Sequence, residues 1–207
     1  MVQVDDRHDR LFDLMEIKDL LIRERYYRDS ANWAKLRDCY HPDAASTKIA
    51  ISWYNGDIDG FVSGSRKMEG TGIRANHDIN PVDIHFNALR DKAVSESTGQ
   101  LRMALSIEDV LYHLISYVRF ISKLEKYRDQ WYLLSFEAIY ESDYLTPDFP
   151  TEKVPSTRPL PSSRKSYGVV SWLLERSNFL INQELPGIDR PESVKQIMDE
   201  KFAWLQP

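Results

Sequence analysis

The hydrophobic period of this chain changes near residue 45, from that of a helix to that of a strand. Ahead of the change, Leu11, Leu14, Met15, Ile17, Leu21 and Ile22 recur at helical spacing between residues 9 and 29, without Gly or Pro. Ser30 or Asn32 can cap a second short helix carrying Trp33, Leu36 and Tyr40, which Pro42 stops. Beyond the change, Lys48 to Tyr54 is rich in β-branched and aromatic residues and ends at Asn55-Gly56-Asp57. Phe61 to Met68 reads as a short helix ahead of Gly70 and Gly72. Val82, Ile84, Phe86 and Ala88 alternate with Asp83, His85 and Asn87, the pattern of a half-buried strand. Ala93 to Leu105, Val110 to Glu125 and Trp131 to Glu141 read as the strands that follow, joined by short turns. Helices first and antiparallel strands after make an α+β fold. A strongly curved antiparallel sheet packed on the N-terminal helices would enclose one cavity, closed at its base.

Residues 146 to 165 are different in kind. Pro147, Pro150, Pro155, Pro159 and Pro161 stand among Ser and Thr, as in an extended arm. Two helices are predicted beyond it, Val169 to Phe179 and Pro191 to Leu205, the second starting on a proline with Glu192 in its first turn. The division expected is a domain over 1–148 and a Pro-rich arm with C-terminal helices over 149–207. Trp172, Leu173, Phe179, Ile197, Phe202 and Trp204 are too apolar to leave in water. These helices dock either on the cone of the same chain or on a partner subunit, and the reach of ~60 Å of an extended arm of ~20 residues favours the partner. The apolar residues on both faces of the long strands likewise point to a homodimer.

Composition removes several function classes. The net charge of -5 provides no basic field for a phosphate backbone, so nucleic acid is not an expected partner. Cys39 is the single cysteine, which excludes an intramolecular disulfide and a thiolate metal cluster; it reads as a buried, inert thiol. The N-terminus lacks an apolar signal core, and no run approaches the ~20 apolar residues of a membrane span, so a cytoplasmic location and no membrane partner are expected. No His-x-x-x-His pair, Gly-rich phosphate loop or Gly-x-Ser-x-Gly elbow is present, and neither a metal nor a cofactor is expected.

The first helix ends on Asp29, Trp33 follows, and Tyr40-His41-Pro42-Asp43-Ala44 closes the second helix. Further on come Tyr54-Asn55-Gly56-Asp57 with Gly60-Phe61-Val62, then His77, then Asn80-Pro81. Arg119, Asp129-Gln130-Trp131 and Ala138-Ile139-Tyr140-Glu141-Ser142-Asp143 complete the set. This order, over roughly residues 9 to 148, resembles the SnoaL-like branch of the nuclear transport factor 2-like superfamily. The resemblance implies a cone-shaped fold around one pocket and a cofactor-free lyase or isomerase, of dehydratase or cyclase type, acting on a hydrophobic small molecule. Asp29 and His77 match the positions of the acid–base pair of such enzymes. Tyr26, Trp53, His113 and Tyr140 are the candidate substrate-binding residues.

Each of these also has a structural reading. Asp29 can cap a helix, His77 reads as a loop residue, and His113 lies mid-strand on a face with Leu111, Ile115, Tyr117 and Arg119. The alternative function is a non-catalytic ligand-binding or scaffolding protein, including a role like the small subunit of a ring-hydroxylating oxygenase.

Overall fold

The computed structural model describes residues 3–70, 74–160 and 163–206, with side chains from Arg7 onward. Gly72 and Pro161, used above as a helix stop and an arm residue, lie outside the described residues. Helix α1 (Gln3–Asp29) buries the face formed by Ile17, Leu20 and Leu21, and α2 (Trp33–Asp38) turns back against it through Leu36. Strands β1 (Lys48–Ile51) and β2 (Tyr54–Gly56) make a hairpin that leads into α3 (Ile58–Glu69), whose N-cap Asp57 accepts a hydrogen bond from the Gly60 backbone. The long strands follow: β3 (Ala75–Phe86), β4 (Lys92–Ile107), β5 (Val110–Tyr127), the short β6 (Gln130–Leu133) and β7 (Ser135–Pro147). Helices α4 (Gly168–Glu175) and α5 (Pro191–Trp204) complete the chain.

The sheet order is β2-β1-β7-β5-β4-β3, with β6 paired to β5 beside this path. The expected antiparallel sheet is found with one exception, since β1 runs parallel to β7. Three strand boundaries also differ from the sequence reading. The segment Lys48 to Tyr54 folds as two strands because the chain reverses at Ser52-Trp53. The segment Trp131 to Glu141 divides at Leu134, its first part pairing with the far end of β5 and its second part running back along β5. Strand β3 starts at Ala75 rather than Val82. Pro81 conceals this start, but β3 is an edge strand and the register shifts between Pro81 and Asp83, so the missing donor is tolerated. The turns after β4 and β5 hold Glu108-Asp109 and Arg128-Asp129 at positive φ, as two-residue hairpin turns require.

Alternation divides the sheet into two environments. Leu114, Val118, Phe120, Phe136 and Ala138 face α1 and form the main core with Ile17, Leu20 and Leu21. Val94, Ile121 and Ile139 point to the other side, where Ile197 and Leu205 cover them. The C-terminal helices therefore dock on their own cone. This corrects the embracing-arm expectation: the apolar strip that α5 needs is available on β4, β5 and β7 of the same chain. Tyr167, Val170, Leu173 and Leu174 join the main core, and Asp143 on β7 accepts a hydrogen bond of 2.7 Å from the Val170 backbone at the start of α4. Between Pro147 and Gly168 the described residues have no helix or strand, as the prolines require. Buried Arg164 clasps the tail by bonding Asp189 at 2.7 and 2.9 Å and the carbonyls of Gln183 and Leu185 at 2.6 and 3.0 Å. No helix among the described residues is long and apolar enough to cross a membrane.

Candidate functional site

Asp29 is the last residue of α1, and His77 lies on the inner side of β3 between Ala75 and Ile79. His77 is thus a strand residue, not a loop residue, and its side chain is brought to the helix end by the pleat. Both oxygens of Asp29 are taken by His77. Oδ2 accepts from the His77 backbone N–H at 2.6 Å, and Oδ1 lies 2.7 Å from Nδ1. Their side chains are only 14% and 11% exposed, which shields the contact from water. Burial pushes the Asp29 carboxyl up, but the hydrogen bonds and charge of His77 outweigh it and hold the pKa below the ordinary 3.8. For His77, burial dominates and the partnership with Asp29 offsets only part of it, so the imidazole titrates below 6.5. At neutral pH the arrangement is an ionised carboxylate holding a neutral imidazole. Nδ1–H donates to Asp29, and Nε2 keeps its lone pair.

Two concave spaces meet at this pair. An open groove of about 950 Å³ runs between the outer side of α1 and the ends of β3, β4 and β5, with Ile22, Tyr26, Asp29, His77, Arg102 and His113 in its wall. The interior of the cone retains about 40 Å³, bounded by Arg25, Trp53, His77, Phe120, Tyr140 and Leu174 among others. A cavity needs about 10–15 Å³ of such space to hold one water, so the interior has room for only a few waters and the groove is the larger space. His77 and Met103 line both.

The remaining sequence candidates divide between these spaces. Tyr26 is 66% exposed on the groove side of α1. His113 also lines the groove, and its Nε2 lies 2.8 Å from Asp148. Trp53 stacks on Phe61 at 5.6 Å inside the cone. Tyr140 is buried there, accepting a hydrogen bond of 2.9 Å from the Ser52 backbone and packing on Tyr167. The structure unites Asp29 with His77 and sets Tyr26 and His113 in the wall of the same groove, while Trp53 and Tyr140 lie inside the cone. Cys39 is buried and burial pushes its thiol up to about 12, in keeping with an inert role. His41 sits in its turn against Tyr127, and His85 pairs with Asp83 on the outside.

Sequence reasoning missed the charges inside the cone. Glu24 and Arg25 are 0% and 2% exposed and bond each other through both Arg25 Nε and Nη2. Tyr40 donates to Glu24 at 2.9 Å, and the Arg25 guanidinium lies 4.1 Å above the Phe136 ring. The signal was available: Glu24 and Arg28 follow Ile17, Leu20 and Leu21 at helical spacing on the buried face. Among the described residues, no group of three or more His, Cys, Asp or Glu is placed to hold a metal ion.

Comparison with known proteins places this geometry in a family. No curated protein matches the chain by sequence. A scytalone dehydratase candidate from Novosphingobium aromaticivorans has a similar structure, with a TM-score of 0.54 at 15% identity over 73% of this chain and 97% of that one. LinA matches with a TM-score of 0.56 at 15% identity, covering 74% and 99% of the two chains. A type 2 LinA, named as a hexachlorocyclohexane dehydrochlorinase, gives 0.51 at 14% identity over 73% and 99%. Identities this low speak for the fold alone. The model of the SnoaL-like domain matches residues 9–137, a span that holds α1, β3 and the Asp29–His77 pair, and the chain belongs to the SnoaL-like family of the nuclear transport factor 2-like superfamily.

Proposed function

We propose that this protein is a cofactor-free lyase or isomerase in which His77 moves the proton and Asp29 orients and charges the imidazole. The observation that carries the reading is the double hydrogen bond from His77 to Asp29 at the boundary of the groove. A neutral imidazole with Nε2 unused is a general base at neutral pH. In an elimination, Nε2 takes a proton from the carbon alpha to a carbonyl or other activating group. The C–H electron pair becomes the new double bond, and a hydroxyl or halide leaves with the electrons of its own bond. The imidazolium formed is stabilised by Asp29, which has no oxygen left to act separately on the substrate. Two of the structural relatives are named for eliminations, a dehydration and a dehydrochlorination. The hydrophobic substrate of this reading lies in the groove against Ile22, Tyr26 and Met103. The SnoaL-like unit ends near residue 148, and 149–207 form an extension folded onto it.

The nearly filled interior favours a second reading, a binding or scaffolding protein without turnover. One experiment separates them. Purified protein is assayed against a panel of β-hydroxyketones, haloalkanes and epoxides, beside His77→Ala and Asp29→Asn. Turnover that falls at least a hundredfold in both variants supports the acid–base reading. Binding of panel members without turnover supports the second, and turnover undiminished in His77→Ala refutes the first.

A further inference from the structure

Arg28 is the least compensated charge near the pair. Its residue is 8% exposed, and among the described residues its polar contacts are two. Nη1 lies 3.4 Å from Asp29 Oδ1, an oxygen that His77 already holds at 2.7 Å, and Nη2 lies 3.4 Å from the Met68 thioether. The first distance is at the outer limit of a hydrogen bond, and a thioether is a weak acceptor. A guanidinium carries five donors in a planar fork. Burying one against a single shared carboxylate oxygen is costly, and burial depresses its pKa although Asp29 offsets part of the effect.

A second observation falls at the same place. The Ser65 residue on α3 is 1% exposed, and its Oγ has no hydrogen-bond partner among the described residues. Ser65 and Arg28 line one pocket of about 350 Å³, beside the groove and sharing Asp29 with it. Arg74 stands at its exposed rim, and Glu69 is the other carboxylate there. The pocket thus sets two guanidiniums against two carboxylates, Glu69 and Asp29, and both oxygens of Asp29 already accept from His77.

We propose that Arg28 and Ser65, with Arg74 at the rim, form a subsite for the carboxylate of an anionic ligand. A carboxylate offers two charged oxygens in the plane of a guanidinium fork, which a neutral ketone does not. The inference deepens the acid–base reading and rests on it for the reacting end of the ligand: the substrate is a carboxylic acid whose anionic end is anchored one residue from Asp29. Its apolar remainder lies in the groove.

Calorimetric titration with benzoate, and with benzamide as the neutral isostere, tests this. Wild-type protein is expected to bind benzoate at least tenfold more tightly than benzamide. Arg28→Gln should remove that preference, and Ser65→Ala and Arg74→Gln should each reduce it severalfold. If Arg28→Gln does not fold, judged by circular dichroism, the other two variants decide. Equal binding of benzoate and benzamide overturns the proposal, as does an undiminished preference in the folded variants. Benzoate bound through Arg28 with no turnover of any carboxylic acid keeps the subsite and removes the acid–base reading. Turnover of neutral ketones without benzoate binding does the reverse.

Discussion

Lys201→Ala tests whether α5 belongs to this fold or merely lies upon it. Lys201 is fully buried on α5 and pairs with Glu137 of β7, which is itself 5% exposed. Removing the ammonium leaves a buried carboxylate. Breaking such a pair costs about 3–5 kcal/mol. Here the loss is partly relieved, because Lys48, half exposed, lies 3.0 Å from the other oxygen of Glu137. The expected cost is therefore about 2–4 kcal/mol, or roughly 1–2 M in the urea midpoint at an m-value of about 2 kcal/mol/M. The double replacement Glu137→Gln with Lys201→Met removes both charges and keeps the volume, and should lie within about 1 kcal/mol of wild type. Equilibrium unfolding followed by tryptophan fluorescence reads both. A Lys201→Ala cost below about 1 kcal/mol would mean that α5 is detached in solution. A double variant as unstable as the single one would refute the argument that the uncompensated carboxylate is the cause.

Three further outcomes are expected. Deletion of 190–207 exposes Val94, Ile121 and Ile139 and should lower the melting temperature and promote self-association, read by light scattering; a monomer of unchanged stability contradicts the docking of α5. Burial raises the carboxyl of Asp143 to about 6, so its contribution to stability is present below pH 3.8 and is lost as pH rises through 6. Raising the pH from 4 to 8 should then cost about 1–2 kcal/mol through this group after screening, and Asp143→Asn should remove that component of the pH profile. Cys39 should resist thiol reagents at pH 8 in the native state and react on unfolding; rapid native labelling would contradict its burial.

The sequence and the structure agree where a single physical signal dominates. The helical period of residues 9–29 and the long alternating strands were visible, although Leu11, Met15 and Ile22 of the helix are exposed and its buried face is carried by Ile17, Leu20 and Leu21. The split of Trp131 to Glu141 into two strands was hidden, since both parts are apolar and only the pairing with β5 tells them apart. The early start of β3 was hidden by Pro81, whose lost donor matters in a central strand and not at an edge. Where the C-terminal helices dock could not be read from their composition. Apolar residues state a need for cover, and only the register of Val94, Ile121 and Ile139 says where it is met. Asp29 and His77 were legible through the family pattern. That pattern put them within direct or water-bridged reach of each other; that both carboxylate oxygens are taken by His77, one of them by its backbone, was not legible, because the spacing between a helix end and an edge strand is a tertiary fact. Arg28 carries no sequence signal beyond its position on the buried face of α1.

The central claim is that Asp29 holds a neutral His77 by Nδ1–H and leaves Nε2 as the base. Long-range ¹H–¹⁵N correlation of the histidine rings across pH 4–8, with assignment by His77→Ala, reads tautomer and pKa together. The expected result is an Nδ1–H tautomer at pH 7, titrating below 6.5, with Asp29→Asn shifting both the tautomer populations and the pKa. An Nε2–H tautomer, or a pKa above 6.5 in the wild-type protein, would contradict it.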